Sequence, residues 1–146
     1  MDYTNSVTVA CDKERAFDTL TNQIDKWWST VKGPGHNQGD NFVVSFGEES
    51  YWKFNVLELT TPSKVVWECI ESHQDHHLPG IDKEWLHSKL YWNISADDGM
   101  VTIQFLHKGL VPTDVCYDVC STAWDFYILD SLKNYLEKGQ GKPGEN

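Results

Sequence analysis

His107 closes an alternating run, Val101-Thr102-Ile103-Gln104-Phe105-Leu106-His107, whose odd members are apolar or aromatic. If that phase holds, the imidazole points inward beside Phe105, within reach of Tyr127 or Asp118. A titratable ring in an apolar pocket is what general acid–base chemistry uses, because burial tunes its pKa. No base or nucleophile stands at a recognisable spacing from it. A histidine hydrogen-bonded at a strand end, supporting the turn, is therefore the expected reading.

Three other groupings could do chemistry. His73-Gln74-Asp75-His76-His77 packs three imidazoles and a carboxylate into five residues, with His87 the nearest further candidate. That set could hold a transition metal ion. It runs into Leu78-Pro79-Gly80, a loop signal, and no cysteine or distant histidine completes it. Solvated loop histidines and no metal are expected. Glu58, Glu68 and Glu71 could pair as acid and base. By alternation Glu68 faces water, while Glu71 continues the inward face of Trp67 and Cys69. Cys11, Cys69, Cys116 and Cys120 show no scaffold spacing, and Cys116 and Cys120 sit one helical turn apart, which does not favour a disulfide. They read as small buried residues in a reducing compartment. There is no phosphate loop, nucleophile elbow or HExxH motif, so no catalytic residue and no cofactor is assigned.

These residues need elements to position them. Residues 113–138 form one amphipathic stretch, with Asp114 and Asp118 in its first turn, Lys133 and Lys138 near its end and Gly139 as the stop. Roughly 25 residues make a rod of nearly 40 Å. Tyr117, Cys120, Trp124, Tyr127, Ser131 and Tyr135 recur at spacings of three and four and share one side. Such a helix needs a broad apolar surface, and a sheet must supply it.

The remaining chain reads mainly as strands. Residues 3–10 alternate as a first strand. Asp12 caps a short helix over Ala16, Phe17 and Leu20, broken by Thr21-Asn22-Gln23, and Ile24-Asp25-Lys26-Trp27-Trp28 makes a second. Residues 30–41, with three glycines and Pro34, read as a mobile loop. Phe42 begins a series of hairpins, with Gly47-Glu48-Glu49 as a turn. Trp52, Phe54 and Val56 share a face, as do Val65, Trp67 and Cys69, then Leu90, Trp92 and Ile94. Asp97-Asp98-Gly99 is a tight hairpin turn before the His107 strand. The order predicts an α+β domain over residues 1–138, with residues 139–146 as a frayed tail.

Composition sets the outer limits. With 146 residues, 40% hydrophobic and 13% aromatic, the chain can bury a core and is not disordered. A net charge of −10 makes nucleic acid a poor partner. Arg15 is the sole arginine, which argues against a bidentate clamp on phosphate. No run of about 18 apolar residues spans a membrane. The first residues lack a signal-peptide pattern, so a cytoplasmic location is expected.

The motifs, taken in order, resemble a known family. They are Ile24-Asp25-Lys26-Trp27-Trp28, Leu57-Glu58-Leu59 through Pro62-Ser63-Lys64-Val65-Val66-Trp67, Phe105-Leu106-His107-Lys108-Gly109, and Trp124 through Ser131-Leu132-Lys133-Asn134-Tyr135-Leu136-Glu137-Lys138-Gly139-Gln140-Gly141-Lys142-Pro143. Their succession resembles the START-like (SRPBCC) superfamily, in the branch of the activator of Hsp90 ATPase C-terminal domain. The resemblance implies a helix-grip fold: a curved antiparallel sheet of six to seven strands around the long helix, with two short helices after the first strand. It further implies a cavity that holds a hydrophobic small molecule or lipid. Cyclase or dehydratase chemistry and contact with an Hsp90-type chaperone are the alternatives, and monomer and homodimer both stay open. The wall of such a pocket would be Trp52, Phe54, Trp67, Cys69, Trp92, Phe105, His107, Cys120, Trp124 and Tyr127. Seven tryptophans allow two uses, core alone or pocket wall. The resemblance places Trp27 and Trp28 at the helical lip, one in the core and the other exposed.

Overall fold

A computed structural model describes residues 2–46, 50–73, 85–114 and 117–144. Strand β1 (Tyr3–Val9) leads into helices α1 (Lys13–Asn22) and α2 (Ile24–Trp27). Six strands follow: β2 (Thr30–Lys32), β3 (Asn41–Phe46), β4 (Ser50–Thr60), β5 (Lys64–His73), β6 (Lys89–Asp97) and β7 (Met100–Lys108). The chain closes with α3 (Tyr117–Phe126), a π-helical stretch (Tyr127–Leu132) and α4 (Lys133–Lys138), end to end. The seven strands form one antiparallel sheet in the order β1-β7-β6-β5-β4-β3-β2. This is the helix-grip architecture, with the sheet curved around the terminal helix.

Local chemistry explains most boundaries. Asp12 accepts from the Arg15 N–H at 2.7 Å and caps α1. Asp98 and Gly99 adopt φ of 53° and 79°, the two positive values that a two-residue hairpin requires, and Asp97 pairs with Met100 across them. Gly139, at φ 78°, ends α4 in the left-handed conformation. The single arginine serves this end too. Arg15 donates to the Tyr135 carbonyl at 3.0 Å and lies over the Tyr135 ring.

Two bulges shape the long hairpin. Phe54 pairs with Cys69 but Lys53 with Glu71, so Ile70 is the extra residue; Leu57 plays the same part in β4. Bulges sharpen twist and bend a strand, which helps the sheet wrap. They also change faces. The expectation that Glu71 points inward fails because Ile70 shifts the alternation by one. Glu71 is exposed and accepts from the Tyr51 hydroxyl at 2.5 Å.

The terminal helix solves a problem of period. Its buried residues Cys120, Trp124, Ile128, Leu132 and Leu136 are spaced by four. In an α-helix of 3.6 residues per turn such a stripe drifts by about 40° each step. The wider π turn from Tyr127 to Leu132 takes the drift back and keeps the stripe on the sheet. The helix is described from Tyr117, not Thr113; Pro112 and Thr113 lie in a turn where Asp114 accepts from the Val111 N–H at 3.0 Å.

Two segments differ from the expectation of mobility. Within residues 30–41, Thr30–Lys32 is the edge strand β2, paired with β3. Beyond it the Gly39 N–H donates to the Val56 carbonyl at 2.8 Å, and the Val56 N–H to the Asp40 carbonyl at 2.8 Å. Residues 139–144 fold back instead of fraying. The Lys142 N–H donates to Ser131 Oγ at 2.6 Å, and the Gly144 N–H to the Trp28 carbonyl at 2.7 Å.

Candidate functional site

The space between sheet and helix is built of aromatic rings. Trp67 comes from β5, Trp92 from β6, Phe105 from β7 and Trp124 from α3, and all are buried. Their inward aim follows from strand alternation and from the helix stripe. Trp28 sits at the centre, with its ring parallel to Trp67 at 6.2 Å and tilted on Trp124 at 4.9 Å. Trp85 stacks on Trp52 at 4.5 Å and on Trp124 at 5.7 Å. Phe105 joins Trp92 at 4.2 Å and Trp124 at 4.5 Å. These are contact distances for ring pairs.

All ten residues assigned to the wall of the grip lie on this inner side. Phe54, Trp67, Cys69, Trp92, Phe105, His107, Cys120 and Trp124 are buried, while Trp52 and Tyr127 are half-buried at the rim. Trp27 and Trp28 are both buried, against the expectation that one would be exposed. Trp28 is held by the aromatic rings around it, and Trp27 donates its indole N–H to the Thr19 carbonyl at 3.1 Å. Sequence reasoning missed Trp85 and Ser88. Neither sits in a periodic run, so nothing in their spacing marks them.

His107 meets different partners from those expected. Its Nδ1 accepts the indole N–H of Trp124 at 3.1 Å, and its Nε2 lies 2.9 Å from Ser88 Oγ. The Ser88 hydroxyl itself donates to the Trp85 carbonyl at 2.6 Å. An indole N–H can only donate, so Nδ1 must be unprotonated and the ring proton must sit on Nε2, donating to Ser88. The tautomer follows from the network. Burial pushes the pKa down to about 3, so the ring is neutral near pH 7.

A serine beside a histidine suggests a nucleophile, but this pair has the opposite polarity. Activation needs an unprotonated Nε2 to take the hydroxyl proton, with the other nitrogen donating to an acid. Here Nε2 carries the proton, and Ser88 directs its own at a backbone carbonyl. The ring also packs edge-on to Trp85 at 4.4 Å. The arrangement ties β7, the 85–88 turn and α3 together. In this tautomer both ring nitrogens are committed to hydrogen bonds.

The remaining candidates stay apart. Glu58 pairs with Lys64 at 3.6 Å, and Glu68 lies 3.9 Å from His87. With Glu71 outside, all three carboxylates lie on the outer face of the sheet, away from the aromatic interior. Cys69 is buried, with its thiol pushed up to about 12 by burial, and Cys120 accepts from the Trp85 indole N–H at 3.3 Å. Cys116, the turn Gly47-Glu48-Glu49 and residues 74–77 of the histidine segment lie outside the described residues. Among the described residues no group of three metal-ligating side chains converges. His73 lies at the exposed end of β5.

One further feature marks the interior. The indole N–H groups of Trp52, Trp67 and Trp92 are buried, and none has a hydrogen-bond partner. Open clefts elsewhere are more polar. One of about 470 Å³ lies on the outer face of the sheet, against Asn5, Ser6, Asn93 and Gln104. No described helix is long and apolar enough to cross a membrane.

Sheet order, grip and aromatic interior define a START-like fold. No protein-family model matches the sequence, and no curated protein does. Solved structures carry the likeness. The Aha1 dimer from Colwellia psychrerythraea matches at 22% identity and TM-score 0.76, covering 97% of this chain and 99% of that one. A protein from Staphylococcus saprophyticus matches at 15% identity and TM-score 0.74, covering 99% and 98%. DynU16, from the dynemicin biosynthetic locus, matches at 13% identity and TM-score 0.70, covering 94% of this chain and 48% of its own. These likenesses show the fold.

Proposed function

We propose that this protein binds a small, flat hydrophobic molecule at the aromatic end of its grip and acts by binding. The trio of unpaired indole N–H groups on Trp52, Trp67 and Trp92 carries the reading. A buried donor left unmade costs about 1–3 kcal/mol, and a carbonyl or ether oxygen on a ligand recovers that cost. Trp52 is the nearest of the three to solvent, its N–H covered until the rim gives way. It is half-buried at the rim, stacked on Trp85 and edge-on to Phe46 at 5.1 Å. A planar ligand seated there gains ring contact and takes the Trp52 N–H. Burying about 300 Å² of its apolar surface supplies roughly 7 kcal/mol before association costs, enough for micromolar affinity. His107 has both ring nitrogens committed, which favours a binding protein over a cyclase or dehydratase.

The test is a titration with planar aromatic ketones, read by tryptophan quenching and thermal shift. Saturable quenching is expected, with Trp52→Phe weakening it about tenfold at little change in Tm. Native mass spectrometry of gently purified protein adds the ligand's mass. An apo mass together with no quenching across the panel sinks the reading.

A second reading rests on the likeness to the Aha1 dimer: contact with an Hsp90-type chaperone. At net charge −10 such a contact would be largely electrostatic and fade between about 50 and 500 mM salt. No complex at low salt removes it.

A further inference from the structure

The outward side of the terminal helix carries an apolar stripe that the grip does not use. Val119, Phe126 and Leu129 are 49%, 41% and 47% exposed. Thr122 and Ala123, between them, are exposed as well. Spacings of three, four and seven put these residues on one side. The acids beside the stripe are already occupied. Asp125 accepts from the Tyr3 hydroxyl at 2.6 Å and from Asn5 at 3.0 Å. Asp130 pairs with Lys142 at 2.9 Å and accepts from Asn134 at 2.6 Å. Asp118 at one end and Lys133 at the other have no ion-pair partner among the described residues.

We propose that this stripe docks a second copy of the chain, helix against antiparallel helix, about a twofold axis level with Trp124. Around that axis Val119 lies level with the second copy's Leu129, and Phe126 with its Thr122. Each large apolar side chain then meets an apolar or small one. The Phe126 ring seats over Thr122 and Ala123, where no bulky group stands in its way. Both contacts occur twice, as an isologous interface demands.

The charges agree with the same register. The second copy's Lys133 lies less than one helical turn along the axis beyond the level of Asp118. Its side chain leans toward its own N-terminus, and so toward Asp118. Asp130, level with Asp118 across the axis, is already neutralised by Lys142. A partner of one charge sign would suit only one end of the stripe. A second copy suits both.

Sedimentation velocity from roughly 1 to 300 µM tests this, at the affinities a small interface gives. The wild type should pass from monomer to dimer, and Phe126→Asp should stay monomeric with an unchanged circular dichroism spectrum. Asp118→Lys and Lys133→Asp should each weaken the dimer about tenfold or more. Mixing those two variants should restore it, because each substituted side chain then meets an opposite charge on the other copy. A wild-type monomer at the highest concentration overturns the proposal. So does a dimer that survives Phe126→Asp, or single variants that mixing does not rescue. A monomer that instead floats with phosphatidylcholine vesicles assigns the stripe to lipid and overturns it as well.

Discussion

The indole N–H of Trp124 donates to Nδ1 of His107 across 3.1 Å, and this bond sets the protonation of a buried network. Because Trp124 can only donate, His107 holds its proton on Nε2 and donates a hydrogen bond to Ser88 Oγ. A strand, a turn and the terminal helix are joined by neutral groups.

The first consequence is a pH dependence. Folded His107 has its pKa lowered by burial to about 3, against an ordinary 6.5. Between those values the unfolded chain binds a proton that the folded chain refuses. Its contribution is therefore complete above pH 6.5 and lost as pH falls toward 3, to a total of about 5 kcal/mol. Urea melts at several pH values should show the wild type losing about 1.4 kcal/mol per pH unit more than His107→Gln in that window. Parallel slopes would exclude His107 as the source.

Ser88 should be chemically inert. Its proton is directed at the Trp85 carbonyl, and the neighbouring imidazole offers no lone pair to remove it. A fluorophosphonate probe should leave Ser88 unlabelled, while Ser88→Ala costs about 1–3 kcal/mol by stranding the His107 N–H. Stoichiometric labelling at Ser88 would contradict the assigned tautomer.

Ser131 joins the helix to two other segments. Its hydroxyl donates to the Trp27 carbonyl at 2.6 Å and accepts the Lys142 N–H at 2.6 Å. Ser131→Ala leaves both without that partner and should cost about 1–3 kcal/mol. Limited proteolysis should then cut the chain after Gly139 faster than in the wild type. An unchanged cleavage rate would mean the tail is held by other contacts.

Gly141 is required by space. A Cβ there would collide with the Lys26 carbonyl oxygen and lie 3.1 Å from Trp27 Cα, both backbone atoms. Gly141→Ala should therefore push the tail off α2, with faster amide exchange at Lys142 and Gly144. Gly139→Ala meets open space and suffers only from its φ of 78°, a cost near 1 kcal/mol. If the two variants behave alike, close packing is not what holds the tail.

Much of the fold was legible because its signals are local. The inward faces of β4 to β7 follow from alternation, and Asp98-Gly99 supplies the positive φ values that its turn demands. Where the reading failed, the cause was one residue or one contact beyond the window. Ile70 adds a residue to β5, and Glu71 changes face. β2 hides in a glycine-rich stretch because its stability comes from pairing with β3, not from its own pattern. Trp85 lies in a turn where no period points inward.

By itself the sequence determined the inward face of the regular strands and of the terminal helix. Side-chain direction repeats every two residues in a strand and about every 3.6 in a helix. Only the tertiary structure decided what those residues meet. His107 was expected near Tyr127 or Asp118 and is bonded to Trp124 and Ser88, 17 and 19 residues away. Hydrogen-bond partners depend on sheet register and on how the helix seats against it. Those in turn depend on a bulge, on a π turn and on seven large indoles sharing one volume.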